Sequence, residues 1–155
     1  DIFATDDTGK LYNIEVQRAD SGASPARARY NSSMLDYHEL QKSRDFKELP
    51  ESFVIFITEN DVLKGGVKIY HIDRVVRETG NFFDDGTQII YVNGSYKGKV
   101  GEPLDDLIHD FFCDSPADMR HKQLADRIKF LKNIEKGGTA MCEVIQKVFA
   151  EEFAE

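Results

Sequence analysis

No stretch of this 155-residue chain approaches the ~20 consecutive apolar residues that a bilayer-spanning helix requires, which excludes a helical membrane protein. Cysteine is scarce. Cys113 and Cys142 are too few for a disulfide scaffold, so two reduced thiols in a cytoplasmic protein are expected. Positive charge is in deficit: 20 Lys and Arg stand against 28 Asp and Glu, a net of −8. That excludes a protein that coats nucleic acid through overall basicity, while leaving room for a local basic patch. Internal repeats, low-complexity tracts and long Pro/Gly/Ser linkers are also missing, and one domain over residues 1–155 is expected. The chain opens on Asp1 with no methionine and no signal peptide, so a trimmed start is expected.

What is there is a soluble globular balance, 41% hydrophobic and 31% charged, which argues against disorder. The acidity is uneven. Residues 1–50 hold 7 basic and 9 acidic side chains, so most of the negative excess falls after residue 50.

Alternation over Asp1–Asp6 and Lys10–Gln17, with Asp7-Thr8-Gly9 between them, predicts a strand hairpin. Ser24-Pro25 is a helix start, and Tyr30, Met34 and Tyr37 form an apolar stripe predicting a helix to about Ser43, with Tyr30 in the core. Phe53–Ile57 is apolar on both faces, as in a strand covered on both sides. Strand, helix and strand in that order predict a crossover unit with a parallel pair. Lys68–Asp73 and Thr87–Val92 read as further strands, with Asp84-Asp85-Gly86 and Asn93-Gly94 as turns. From Pro103 the period becomes helical. Leu104, Leu107, Ile108 and Phe111 mark one helix. Ser115-Pro116 starts a second, carrying Leu124, Ile128 and Leu131 and stopping at Gly137-Gly138. Met141, Val144, Ile145, Val148 and Phe149 line a third. The class is α/β, with a core over about 1–100 and a helical part over 101–155.

The hairpin carries the chemistry. A three-residue loop with glycine last pairs Asp6 with Lys10, because the final loop position is left-handed. That register sets Ile2 against Ile14 and Asp1 against Glu15, on one face with Gln17. A four-residue loop would put the two acids on opposite faces. Opposed carboxylates repel, and a divalent cation such as Mg²⁺ relieves the repulsion. The plain alternative is a pair of solvated acids at a strand end.

The segment from Asp1 through Tyr12-Asn13-Ile14-Glu15-Val16-Gln17-Arg18 resembles the PD-(D/E)XK nuclease superfamily, and more narrowly the bacterial PD-(D/E)XK-family transposases, or recombination-promoting nucleases. The likeness continues through Arg27-Ala28-Arg29-Tyr30, Phe53–Thr58, Tyr70-His71-Ile72, Ile89–Gly94, Leu124–Arg127 and Met141-Cys142-Glu143, nearly the whole chain. It implies a restriction-endonuclease-like mixed sheet, built from an antiparallel hairpin and a βαβ crossover, with N-terminal helices expected upstream of Asp1. It also implies metal-dependent hydrolysis of double-stranded DNA, with Mg²⁺ or Mn²⁺ as cofactor. By the resemblance Asp1 and Glu15 are the motif acids, and the main-chain carbonyl of Val16 is the third metal ligand. Gln17 stands where the superfamily has lysine, and glutamine brings no positive charge to the reaction.

Arg18, Arg27 and Arg29 follow the motif strand and are the candidate DNA-backbone contacts, since guanidinium forks match phosphate geometry. Lys122, Lys129 and Lys136 recur every seven residues, which fits the solvated side of an amphipathic helix better than a DNA rail. His38, His71, His109, His121, Cys113 and Cys142 show no zinc spacing, and no metal role is assigned to them. The competing function is a catalytically decayed nuclease fold that binds DNA or a protein partner. A homodimer is expected only on the general ground that cutting two strands often uses two sites.

Overall fold

The computed structural model describes residues 2–42 and 45–133, and the chain divides into two compact units, 1–96 and 97–155. Asp1 lies outside the described residues. So do Lys136, the Gly137-Gly138 stop and the expected third helix over Met141–Phe149.

The first unit is a five-stranded mixed sheet. Strands β1 (Ile2–Thr5) and β2 (Leu11–Gln17) form the predicted antiparallel hairpin, with Ile2 opposite Ile14 and Thr5 opposite Leu11. Its loop is the three-residue solution: the Asp6 amide donates to the Lys10 carbonyl at 3.1 Å, and Gly9 closes the turn at φ +88°. The Asp6 carboxylate accepts bonds from the Thr8 and Lys10 amides and from the hydroxyls of Thr8 and Tyr12. Register is thereby set by turn chemistry that involves no distant residue.

Helix α1 (Pro25–Lys42) follows, and Ser24 caps it through Oγ to the Arg27 amide. Strand β3 (Ser52–Thr58) then lies parallel to β2, and β5 (Thr87–Asn93) parallel to β3. Strand β4 (Ile69–Ile72) closes the sheet antiparallel to β5, giving the order β1-β2-β3-β5-β4. Every residue of β3 is buried, as its unbroken apolar run predicts for a central strand. The α/β class, the hairpin and the parallel crossover pair are all observed.

The helix faces the sheet with a different stripe from the one expected. Ala28, Ser32 and Leu35 are buried, whereas Tyr30 is 62% exposed and Tyr37 is also exposed. Small side chains let α1 lie close on the sheet, and the aromatic stripe is rotated outward. Ala28 and Leu35 pack in one core with Leu11, Ala23, Val54, Phe56 and Tyr91. Phe56 and Tyr91 stack with centroids 5.2 Å apart.

In the second unit, α2 (Pro103–Phe112) buries Leu104, Leu107 and Ile108, and α3 (Lys122–Asn133) buries Leu124 and Ala125. Lys122 and Lys129 are exposed, as the solvated side of α3. The helix expected at Ser115-Pro116 begins at Lys122 instead. Asp110 accepts the amides of Arg120 and His121, at 2.7 and 2.8 Å, and this holds the intervening segment as a loop.

Candidate functional site

Strand alternation puts Leu11, Asn13, Glu15 and Gln17 on the α1 side of the sheet. The first of these joins the core, and the other three form a polar ladder leading to the C-terminal end of β2. In open α/β sheets that end is where ligands are received. Glu15 is 2% exposed, so its charge requires compensation.

Three side chains supply it. Arg27 Nη2 donates to Glu15 Oε2 at 2.7 Å, Gln17 Nε2 to the same oxygen at 3.0 Å, and Asn31 Nδ2 to Oε1 at 3.0 Å. Arg27 and Asn31 are four residues apart, hence on one face of α1. Asn31 Nδ2 also reaches Asn13 Oδ1 at 2.9 Å. Among the described residues the buried Asn13 Nδ2 has no partner. Arg27 Nη1 donates to the Gly22 carbonyl at 3.2 Å, which fixes the guanidinium from its far side.

The turn after β2 (Asp20–Ala23) is shaped to this cluster. Tyr91 Oη donates to the Ala23 carbonyl at 3.0 Å and ties the turn to β5. Gly22 faces Gln17 so closely that a Cβ there would stand 2.1 Å from Gln17 Oε1. The missing side chain at 22 is the space the Gln17 amide fills.

Main-chain geometry adds one more group. The Leu11 amide and the Gln17 carbonyl bond on the β3 side, to Glu51 and Glu59, so odd-numbered residues of β2 present their polar groups there. The alternation turns the even-numbered carbonyls toward β1. Described pairing on that side ends at Ile2 with Ile14, and Val16 lies two residues further on. The buried carboxylate and the Val16 carbonyl are hard oxygen donors, a set that suits a hard divalent cation. The residues fit such an ion.

Of the expected site residues, the structure thus brings Glu15, Gln17 and Arg27 together and leaves Val16 beside them. Asp1 lies outside the described residues. Arg18 and Arg29 are exposed; Arg29 lies two residues along α1 from Arg27, off the face that meets Glu15. Sequence reasoning missed Asn13, Asn31 and Gly22. Asn13 had a signal in its place two residues before Glu15, and Asn31 in its place one turn after Arg27.

A second cluster, also missed, lies in the second unit around Asp110, which is 1% exposed. Besides the two backbone amides, its oxygens meet His109 Nδ1 at 3.1 Å and His121 Nδ1 at 2.9 Å. Burial works against the Asp110 charge, but these four bonds outweigh it and hold the carboxyl below its usual range. Cys113 is close by, and burial, with the carboxylates of Asp110, Asp118 and Asp114, pushes its thiol up. At the other end of the sheet from Glu15, Arg74, Asp84, Asp85 and Thr87 line a cleft in which Arg74 pairs with Asp85.

Among the described residues no helix is long and apolar enough to cross a membrane. A family model described as PD-(D/E)XK nuclease family transposase matches residues 1–150. No curated protein and no solved structure matches the chain.

Proposed function

The chain belongs to the PD-(D/E)XK nuclease family of transposases, and from that premise we propose that it is a divalent-metal-dependent DNA endonuclease acting in transposition or recombination. The observation that carries this is Glu15: a nearly buried carboxylate at the end of a sheet strand, held by Gln17, Asn31 and the part-exposed Arg27. A carboxylate enclosed in that position and ringed by three donors is suited to a ligand's role.

Glu15, Asp1 and the Val16 carbonyl are the proposed ligands of Mg²⁺ or Mn²⁺, within a nuclease domain spanning 1–155. When bound, such an ion supplies Lewis acidity toward a phosphodiester oxygen and acidifies water. Gln17 Nε2, released from Glu15, donates to a phosphate oxygen or orients the attacking water. Arg27, when it leaves Glu15, turns Nη2 toward backbone phosphate beside the scissile bond. Arg29 and Arg18 contact the backbone further out.

A second reading, a catalytically silent module that binds DNA or a protein partner, is favoured by the same ion pair, because Arg27 already answers the Glu15 charge. Incubation of the purified protein with supercoiled plasmid and Mg²⁺ or Mn²⁺ separates the two. Nicking that falls to background in Glu15→Ala supports the endonuclease. Equal nicking by both proteins removes Glu15 from the site. DNA binding by both, with cleavage by neither, establishes the silent module.

A further inference from the structure

We propose that His109, Asp110, Cys113 and His121 form a binding site for one thiophilic divalent transition-metal ion, of the zinc type, which clips the end of α2 to the start of α3. The site is separate in chemistry from the all-oxygen set at Glu15 and does not rest on the nuclease reading.

The donor geometry carries the proposal. A ring nitrogen of His109, an Asp110 carboxylate oxygen and Cys113 Sγ lie within 4.8 Å of one another. His121 Nδ1 is 2.9 Å from Asp110 Oδ2, and His109 Nδ1 is 3.1 Å from Oδ1. Bonds of about 2.0–2.3 Å to a tetrahedral ion set ligand-to-ligand edges of roughly 3.3–3.8 Å. His109, Asp110 and Cys113 thus stand together already, and His121, bonded to the other Asp110 oxygen and outside that trio, supplies the fourth donor by swinging its ring toward them.

Chemistry points the same way. Two neutral imidazoles, one thiolate and one carboxylate cancel a double positive charge, which suits a half-buried place. The thiolate favours zinc-like ions over Mg²⁺ or Ca²⁺. Each Asp110 oxygen already accepts one backbone amide, Arg120 on Oδ1 and His121 on Oδ2. Those bonds orient the carboxylate as outer-shell partners do at metal centres, and leave its remaining lone pairs toward the imidazoles. The donors also gather at the C-terminus of α2, where Cys113 is the cap residue, and helix C-termini favour cations. Binding displaces the thiol proton to solvent and moves each imidazole proton from Nδ1 to Nε2. Cys113 then gives up its long contacts to the carbonyls of Asp110 and Ser115.

Sequence spacing hides the set because three ligands crowd into five residues and the fourth comes from beyond a loop.

The test uses the whole purified protein, stripped with a chelator and titrated with Co²⁺ and then Zn²⁺. One Co²⁺ per chain is expected, with a thiolate-to-cobalt charge-transfer band and the visible bands of tetrahedral cobalt, both erased by stoichiometric Zn²⁺. Cys113→Ser abolishes the charge-transfer band and His109→Gln weakens Zn²⁺ binding at least about tenfold. Cys142→Ser and Glu15→Gln leave both signals intact. Circular dichroism of each variant checks that it is folded. A folded parent protein without the band, or a band that survives Cys113→Ser, overturns the proposal and leaves Asp110 as a hydrogen-bonded staple between two imidazoles.

Discussion

Arg27 Nη2 sits 2.7 Å from Glu15 Oε2, a guanidinium with one side open to solvent against a carboxylate that is almost wholly enclosed. The pair is asymmetric. Removing Glu15 leaves an arginine that water can reach, whereas removing Arg27 leaves a charge that water cannot.

That asymmetry orders the mutants. Arg27→Ala is expected to destabilise the metal-free protein by about 2–3 kcal/mol, below the full cost of breaking a buried pair because Arg27 is part-exposed. Glu15→Gln is expected to cost less, and the double variant Arg27→Ala/Glu15→Gln to recover most of the loss. Urea unfolding of the four proteins in one cycle measures this; additive losses would mean the pair is not coupled.

Mg²⁺ should act on the same balance. If the ion takes over Glu15 from Arg27, saturating Mg²⁺ raises the melting temperature of Arg27→Ala more than that of the parent. Equal shifts in the two proteins would place the ion elsewhere.

Gly22→Ala is expected to leave the fold within about 1 kcal/mol of the parent, since only the end of the flexible Gln17 side chain must move. Nicking should nevertheless fall as far as in Gln17→Ala. The two variants combined should be no worse than either, because both remove the same amide from the same place.

The hairpin carries a pH signature. Burial, with the Asp6 carboxylate bonded to it and Glu51 beyond, pushes the Tyr12 phenol up to about 12. A raised folded value contributes stability that is complete below the unfolded value of about 10 and is lost as pH rises through 12. Asp6 has the opposite sign. Its burial is outweighed by the bonds from Thr8, Lys10 and Tyr12, its carboxyl is lowered, and its contribution is lost as pH falls below the ordinary carboxylate range. Burial raises the Tyr91 phenol as well, so phenolate absorbance across alkaline pH should show late-titrating tyrosine of which the Tyr12 part alone disappears in Tyr12→Phe.

Asp110→Ala removes the acceptor of two loop amides, and is expected to cost at least about 2 kcal/mol in thermal melts without added metal. Asp110→Asn keeps an acceptor for one amide and should cost less.

The parts of this molecule that were readable in advance are those decided by near neighbours. A glycine-terminated loop fixes the register of Ile2 on Ile14, and a period of two places Glu15 and Gln17 on one face. The unbroken apolar run of Phe53–Ile57 announces a central strand. What stayed hidden depends on docking. The ion pair of Arg27 was hidden because its partner is twelve residues away, on a strand that only the packing of α1 brings near. Tyr30 looked like core because apolar spacing does not say which stripe meets the sheet, and here small Ala28 and Ser32 are selected for close approach. Ser115-Pro116 looked like a helix start because the pull of Asp110 on Arg120 and His121 is invisible in local sequence.

The polar cluster from Asn13 to Asn31 is a short stretch of chain, yet β3, which pairs with β2 beside it, joins Phe56 to Glu15 and Tyr91 across 41 and 35 residues. Closing such loops is entropically slow, so parallel pairing around β3 forms late in folding. Until it does, Glu15 is expected to stay hydrated, with no need of Arg27. Enclosure by β3 is what turns a loose surface contact into an obligatory one, so the unfolding rate should report on Arg27 more strongly than the folding rate does.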